Sequence, residues 1–272
     1  MGRVGNMALQ VRFKIYETVV VPTVFSNIET WGVMQENEVK ELESIQYKIL
    51  RGILEQKMTT PYWGIIAETG IWPVRNRTKY KKIMLFHNIV TSDEKRLVKE
   101  VIEDQIRKPY KGCWGESVIE ICRKYDLKPD EIKLWTKQKL KKEIKEKIRK
   151  DIEKVIEIKK TEMSKLRFTD GKGKKEYLDE LEAKEAMLIM RASLNMLELK
   201  GNYRSKYKDG ICDLCGEEEE STEHLFECKT LQGINSSHLK VEALEGPTKE
   251  VAKFLSDAME IINARRHGLQ SE

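Results

Sequence analysis

The sequence predicts a mainly α-helical protein. Of its 272 residues, 40% are hydrophobic, 35% charged and 7% aromatic, a balance that suits amphipathic helices with charged outer faces. Apolar residues recur every three or four positions in several segments, whereas alternating runs of Val, Ile and Thr are scarce. Both patterns favour helices over sheets.

Several short helices are expected in the first hundred or so residues, and two of them carry an apolar stripe. Apolar residues recur at helical spacing over residues 38–54 and, less regularly, over 74–90. The two stripes consist of Leu42, Ile45, Ile49, Ile53 and Leu54, and of Tyr80, Ile83, Met84 and His87. Between them, Pro61 and Pro73 flank two glycines that interrupt the periodicity. We expect turns there, and we interpret His87 as a core histidine rather than a base.

A long basic helix is expected beyond a loop at 108–112. Its apolar residues step by four and then three positions and form a narrow seam. The seam consists of Leu140, Ile144, Ile148, Ile152 and Val155. Residues 137–160 contain eleven Lys or Arg and five Asp or Glu, a local net charge of +6. The solvent side of this helix is therefore strongly basic.

Two further helices are expected after a glycine-containing break at 169–174. The first extends from about Glu176 to Leu199. The second carries one apolar face and has Thr248 in a position to cap its N-terminus. That face consists of Val251, Phe254, Leu255, Ala258 and Ile262.

Three cysteines and a histidine have the spacing of a zinc site. Cys212 and Cys215 form a Cys-x2-Cys pair, and His224 and Cys228 follow as a His-x3-Cys pair. Two thiolates on one tight turn and two ligands one helical turn apart complete a tetrahedron. Soft ligands favour Zn²⁺ over Mg²⁺ or Ca²⁺. We expect one structural zinc ion per chain; a chance cluster or a redox pair is the alternative.

The segment around these ligands is acidic. Residues 213–227 contain seven Asp or Glu and no Lys or Arg, so phosphate repulsion disfavours direct contact with nucleic acid. Basic residues on either side, including Arg204 and Lys206, are the candidates for such contact. The remaining cysteines, Cys113 and Cys122, are nine apart with no histidine nearby and are interpreted as ordinary thiols.

Several segments, in order along the chain, match a set of motifs. Residues 13–24 (FKIYETVVVPTV) and 29–32 (ETWG) resemble the segment just after the polymerase core of non-LTR (LINE-type) retrotransposon reverse transcriptases. Residues 42–51 (LESIQYKILR) are similar to the thumb helix of that family, and Thr60-Pro61 and 68–74 (ETGIWPV) to the motifs that follow it. The Cys-Cys-His-Cys cluster lies where the family places its C-terminal zinc knuckle. The resemblance covers residues 10–92 and 185–232.

The resemblance implies a part in target-primed reverse transcription. The thumb of that family grips the template–primer duplex, and its C-terminal region engages RNA or target DNA. By position, Gln46, Lys48 and Arg51 lie on the thumb-like helix and would face the duplex; a solvated polar face is the alternative. On the basic helix, Lys141, Lys145 and Arg149 are further candidates for backbone contact.

The polymerase centre of that family is missing from the sequence. Phosphoryl transfer needs paired carboxylates that hold two metal ions about 4 Å apart, and no two aspartates are adjacent in this chain. We therefore expect no enzymatic activity from the chain alone. The interpretation is a C-terminal part of a reverse transcriptase that binds RNA or DNA backbone, next to the polymerase region or another protein, without a small-molecule substrate.

Composition limits location and partners. The net charge of +5 permits a nucleic-acid partner without demanding one. No secretory signal, membrane span or myristoylation pattern is recognisable, so we expect a nuclear or cytoplasmic protein without a membrane partner, whose cysteines are thiols or metal ligands. The alternative function is a zinc-stapled protein-interaction module, with the seam of the basic helix or the 217–220 glutamate cluster as its docking surface.

The full expected architecture is mainly α, with a thumb-like bundle, a basic connector helix, a zinc knuckle and a C-terminal helix. The expected regions are a thumb-like region over 1–108, a basic connector over 109–168, a helix over 175–208, the knuckle over 209–233, and the C-terminal helix and tail over 234–272.

Overall fold

A computed structural model of the chain is mostly helical, which confirms the predicted fold class. It describes residues 7–93, 96–163, 166, 169, 171–207, 209–235 and 237–268. Within these ranges no strand forms, and the β-pairing is limited to one antiparallel bridge between Ile211 and Glu219. No helix in the same ranges is both long enough and apolar enough to cross a membrane.

The helices are numbered in chain order. They are α1 (Leu9–Ile15), α2 (Val21–Val24), α3 (Glu36–Ile53), α4 (Tyr62–Thr69), α5 (Val74–Val90), α6 (Leu97–Arg107), α7 (Trp114–Lys124), α8 (Pro129–Leu134), α9 (Lys137–Glu162), α10 (Tyr177–Glu180), α11 (Ala183–Ser193), α12 (Thr222–Glu227) and α13 (Lys249–Gly268). A π-helical turn, Tyr16–Val20, joins α1 to α2. Short 3-10 segments lie at Ile28–Thr30, Lys200–Tyr203, Lys229–Leu231 and Val241–Leu244.

The chain divides into two compact units, each built from separate stretches of sequence. The middle unit consists of residues 16–48 and 72–155, and the terminal unit consists of residues 1–15, 49–71 and 156–272. In the middle unit, α5 packs against α6, α7 and α8. In the terminal unit, α11 packs against α13. The metal-site candidate and the C-terminal helix both belong to the terminal unit.

The apolar stripe of α3 differs from the predicted one. The buried row is Gln46, Leu50 and Leu54, at i, i+4 and i+8, whereas Ile45 is 40% exposed. The Gln46 amide donates to the Tyr16 hydroxyl (2.9 Å) and the Trp72 carbonyl (2.9 Å), and its oxygen accepts the Val74 N–H (3.1 Å). Gln46 thus holds the start of α5 from inside the middle unit. The prediction that Gln46 faces a nucleic-acid duplex is wrong, because its side chain is fully buried.

The seam of α9 is buried over its first four residues, as its spacing predicted, but Val155 is half-buried and the adjacent Ile156 is the buried residue at that end. Leu140, Ile144 and Ile148 are fully buried, and Ile152 is 8% exposed. The chain's own residues therefore cover the seam. It does not offer a free apolar face to a partner helix, which removes one of the two docking surfaces of the protein-interaction alternative.

The helix expected over residues 176–199 is divided. It consists of α10 and α11, separated at Leu181 and Glu182. Glu182 and Glu185 form a reciprocal capping box that starts α11 anew. Asn195 has a φ of 51°, and this left-handed backbone lies just beyond the end of α11.

The C-terminal helix matches its prediction. The five predicted face residues of α13 are all buried. Thr248 precedes the first helical residue, and its carbonyl accepts the Ala252 N–H (3.2 Å). His87 is likewise a core residue, 4% exposed, with Nε2 2.9 Å from the Trp135 carbonyl oxygen. Cys113 and Cys122 are buried free thiols, and burial raises the pKa of Cys122 to about 12.

Candidate metal centre

The first two candidate ligands lie on a tight turn closed by backbone hydrogen bonds. The Cys212 N–H donates to the Glu218 carbonyl (2.8 Å), and the Gly216 N–H donates to the Cys212 carbonyl (2.9 Å). Gly216 has a φ of 70°, a left-handed conformation that glycine adopts without a steric cost. The glycine after the second cysteine therefore lets the chain reverse direction immediately after both thiols.

The other two candidate ligands come from α12. Ser221 caps this helix, and its hydroxyl accepts the His224 N–H at 3.1 Å. The Cys228 N–H then donates to the His224 carbonyl (2.7 Å), which places the two residues one helical turn apart on one side. The four-residue spacing of His224 and Cys228 therefore places both on one side of the helical turn, as predicted.

The four side chains converge. Their ligand atoms all lie within 4.8 Å of one another, and Cys215 Sγ is 3.3 Å from His224 Nε2. Cys212, His224 and Cys228 are buried, and Cys215 is half-buried. Three sulfurs and one imidazole nitrogen at this separation are able to hold a metal ion, so the predicted cluster is confirmed as a possible metal site.

Glu218 fixes the orientation of the histidine ring. Its Oε2 lies 3.1 Å from His224 Nδ1 on the side of the ring away from Cys215. A proton on Nδ1, donated to this carboxylate, leaves the Nε2 lone pair directed at the sulfurs. Carboxylates in this position fix the tautomer of metal-binding histidines and raise their basicity. In the sequence Glu218 is one member of an acidic run, and no local pattern there indicates this contact.

The surrounding protein changes the acidity of two thiols in opposite directions. Burial raises the pKa of Cys212 to about 12. Partial burial alone would raise the pKa of Cys215, but hydrogen bonds from the backbone of Glu217 and Glu218 and from His224 outweigh it and lower the pKa to about 7. A metal ion binds thiolates, so loading of the site releases protons.

Two carboxylates of the acidic segment are bound by cations from elsewhere in the terminal unit. Arg266, near the end of α13, donates from Nε to Asp213 (3.1 Å) and forms an ion pair with Glu220, which is fully buried. The Lys200 ammonium lies 2.6 Å from Asp213 and 3.0 Å from Asp209. These contacts attach α13 to the turn that carries Cys212 and Cys215.

Two outer glutamates of the segment are paired as well. Lys229 lies 2.8 Å from Glu217, and Arg204 lies 2.6 Å from Glu219. Glu220 and Glu218 are engaged as described above, so each member of the 217–220 cluster already has a partner. A basic partner that docks on this cluster, as the protein-interaction alternative supposes, would have to compete with Lys229 and Arg204 for its outer glutamates.

The remaining predicted nucleic-acid contacts are distributed over both units. Lys48, Lys141 and Lys145 are exposed, Lys206 is exposed with its ammonium 5.3 Å from the centre of the Tyr207 ring, and Arg51 is half-buried. Arg149 is exposed and pairs with Glu146 (2.7 Å) and with Glu153. Arg204 is exposed and pairs with Glu219 (2.6 Å), in the acidic segment between Cys215 and His224.

A comparison of the chain with known protein families, with curated proteins and with solved structures finds no match. The assignment of function therefore depends on the geometry and charge of the residues themselves.

Proposed function

We propose that this chain binds the phosphate backbone of RNA or DNA through an exposed lysine row on α9 and that a zinc ion stabilises its C-terminal part. The row consists of Lys137, Lys141 and Lys145, all exposed and spaced by four residues. This spacing places them on one side of the helix, about 6 Å apart along its axis. The lysine row is the observation that carries the proposal.

The lysine row lacks the counter-ions that several other cations of α9 have. Within the part of the chain that the structure describes, none of its three lysines forms an ion pair. By contrast, Lys147 pairs with Glu143 at 3.5 Å, and Lys159 pairs with Glu162 at 2.5 Å. The excess positive charge of α9 is thus concentrated in its N-terminal half.

The arrangement has no benefit for the helix itself. Like charges at i and i+4 destabilise a helix by about 0.2–0.5 kcal/mol for each pair, and the row contains two such pairs. Lysines near the N-terminus also oppose the helix dipole. A polyanion offsets both costs, and neutralisation of successive phosphates by lysine releases condensed counter-ions. This binding is independent of nucleotide sequence.

Zinc is the ion that fits the cluster best. Three sulfurs and one imidazole supply soft and borderline ligands, which Zn²⁺ prefers and Mg²⁺ or Ca²⁺ do not. All four positions of a tetrahedron are filled by the protein, which leaves no position for a reactive water. A bound zinc ion would therefore supply folding free energy rather than catalysis.

The resemblance to a LINE-type reverse transcriptase gives this activity a context. The ordered segments in residues 10–92 and 185–232 support the interpretation that the chain is a C-terminal part of such an enzyme. In that role it would engage template RNA or target DNA. The lack of adjacent aspartates supports a non-catalytic role. The partners proposed are nucleic acid and the polymerase region or another protein, in the nucleus or the cytoplasm.

Neutralisation of the lysine row tests the proposal. Lys137, Lys141 and Lys145 are changed to Gln, and binding of labelled single-stranded and duplex RNA is followed by fluorescence anisotropy over a salt series. Loss of three phosphate contacts should make the slope of log K against log [salt] shallower by about 2 for the single strand, at roughly 0.7 for each contact.

The matched control lies in the same helix. Lys154, Lys159 and Lys160 are changed to Gln, which removes the same charge, and two of these lysines already have carboxylate partners. The slope of this variant should stay close to that of the unchanged protein. Equal slopes for the two variants, or no salt-sensitive binding by the unchanged protein, would refute the proposal.

A separate measurement tests the zinc assignment. Atomic emission on the purified protein should give one zinc ion per chain, and Cys212→Ser should lower that content strongly. A metal content well below one in the unchanged protein would reject zinc while leaving the lysine row untouched.

A further inference from the structure

A groove between α11 and α13 carries a second concentration of cations. Its volume is about 600 Å³, and it lies entirely within the terminal unit. Four cations line it: Lys184 and Arg191 from α11, and Lys249 and Lys253 from α13. We propose that this groove binds a phosphodiester backbone, as a second contact surface for the nucleic acid. The inference rests on the proposed function and extends it to a second surface.

Three carboxylates also line the groove, so the four cations leave it a net charge of +1, and two of these carboxylates are held at the starts of the helices. Glu185 accepts the backbone N–H of Glu182 at 3.2 Å in the capping box of α11. Glu250 accepts the Thr248 hydroxyl at 2.6 Å at the start of α13. Asp257 is the remaining acidic residue of the lining. In the described parts of the chain, none of the four cations forms an ion pair with a carboxylate.

Arg191 has a backbone partner but no counter-ion. Its Nη2 donates to the Glu55 carbonyl (2.9 Å), which fixes the side chain against the terminal unit. A guanidinium held in this way offers further N–H donors, and its planar fork matches the oxygens of a phosphate. Arg191 therefore provides an anion contact whose side chain is held in place by the Glu55 carbonyl.

The two N-terminal lysines oppose the stability of their own helices. Lys184 lies in the first turn of α11 and Lys249 in the first turn of α13. The positive end of a helix dipole disfavours cations there. Lys249 and Lys253 are also a like-charge pair at i and i+4, which disfavours α13 further. The cations of the groove thus destabilise α11 and α13, and a bound anion would remove this destabilisation.

The lining favours a backbone contact over recognition of bases. Among the residues that the structure describes, no aromatic side chain lines the groove, and its apolar lining residues are Leu188 and Ala252. Sequence-tolerant stacking of bases needs aromatic faces, and an anchored peptide needs deeper apolar pockets. A phosphodiester chain requires neither, because each nucleotide brings one negative charge. It is also the ligand that the lysine row of α9 predicts.

The test neutralises Lys249 and Lys253 together as Gln in the full chain. The probe is a fluorescein-labelled oligouridylate, which stacks weakly and reports backbone contacts. Its anisotropy is followed over a sodium chloride series. Loss of two contacts should make the slope of log K against log [salt] shallower by about 1.4, from roughly 0.7 for each single-strand contact. Removal of these two positive charges also removes an unfavourable interaction with the positive end of the α13 dipole, so the variant is expected to fold.

The matched control neutralises Lys240 and Arg265, two exposed cations of the same unit that lie outside the groove. This variant should keep the slope of the unchanged protein. An unchanged slope in the Lys249→Gln, Lys253→Gln variant, together with a reduced slope on neutralisation of the α9 lysine row, would overturn the groove and leave the proposed function intact. Absence of salt-sensitive binding in the unchanged protein would overturn both.

An acidic peptide is tested as the competing ligand. A fluorescein-labelled polyglutamate peptide is titrated under the same conditions against the unchanged protein and both double variants. Weak binding that does not depend on Lys249 and Lys253 supports the phosphodiester assignment. Peptide binding lost in the groove variant, with oligouridylate binding retained, would assign the groove to an acidic protein partner and overturn the inference.

Discussion

Arg266 donates from Nε to Oδ2 of Asp213 at 3.1 Å, and this contact joins the last turn of α13 to the turn between Cys212 and Cys215. The same guanidinium donates to the Glu198 carbonyl (2.7 Å) and pairs with the fully buried Glu220. The oxygens of Glu220 also accept the backbone N–H groups of Lys200 and Asp213. The C-terminal helix and the metal-site turn therefore share one buried charge network.

Removal of Arg266 should leave a buried carboxylate without its cation. We expect Arg266→Met to lower the free energy of unfolding by about 3 kcal/mol, because breaking a buried pair strands the remaining charge. The measurement is urea unfolding of the metal-loaded protein, followed by circular dichroism.

The control for this change is Arg265→Met, one residue earlier on the exposed side of α13. Exposed substitutions away from specific contacts usually change stability by about 0.5 kcal/mol or less. Adding Glu220→Gln to Arg266→Met should restore part of the lost stability, since the stranded charge is then gone. A loss that is equal in the Arg265 and Arg266 variants would contradict the network.

The candidate metal site was predictable because its signal is local. Cysteine and histidine are rare in the chain, and the turn and the helical spacing that bring them together lie within seventeen residues. The apolar seam of α9 and the face of α13 were predictable for a related reason. Strict helical periodicity in long segments identifies a buried side without knowledge of what covers it.

Buried polar residues were not predictable in the same way. Gln46 lies on the buried row of α3, and Lys82 of α5 is 3% exposed. The Lys82 ammonium donates to the carbonyls of Trp31 (2.7 Å) and Gly32 (2.9 Å) and to the Ser117 hydroxyl (2.8 Å). Both side chains satisfy backbone groups that are distant in sequence. Periodicity assigns polar residues to the solvent side, so only tertiary structure reveals such roles.

Gln46→Leu should be strongly destabilising despite its apolar character. The change leaves the Val74 N–H, the Trp72 carbonyl and the Tyr16 hydroxyl without their Gln46 contacts. A buried polar group that loses its partner costs about 1–3 kcal/mol. We expect a loss of about 3 kcal/mol in urea unfolding.

Lys48→Leu is the matched control, because Lys48 is exposed two residues further along α3. It should change the unfolding free energy little. A Gln46→Leu variant as stable as the unchanged protein would mean that these three contacts contribute no net stability. It would also contradict the buried position of the Gln46 side chain.

Lys82 should give the middle unit an unusual dependence on pH. Burial lowers its pKa to about 8, whereas an unfolded lysine titrates near about 10.4. Between these values the unfolded chain binds more protons than the folded chain, so the free energy of unfolding increases with pH. The Lys82 contribution should rise by about 2 kcal/mol from pH 8 to pH 10.

The test compares urea unfolding of the unchanged protein and Lys82→Met at several pH values in that window. Burial also lowers the pKa of Lys79 to about 8, so the difference between the two proteins is the relevant quantity. Lys81→Met is the control, because Lys81 is the lysine next to Lys82, is partly exposed and pairs with Glu29 at 3.4 Å. A difference that stays constant across the window would show that Lys82 does not titrate there.

Glu218→Gln should weaken metal binding without removing a ligand. The carboxylate of Glu218 lies 3.1 Å from His224 Nδ1, and loss of such a partner typically lowers metal affinity by about 10- to 100-fold. The measurement is a competition with a chromophoric zinc chelator. Glu217→Gln is the matched control, because it removes the same charge from the adjacent residue, whose carboxylate contacts Lys229 instead. Equal affinities in the two variants would mean that charge near the site, rather than the orientation of the His224 ring, sets its affinity. A decrease confined to Glu218→Gln would establish Glu218 as the residue that positions His224 for the metal.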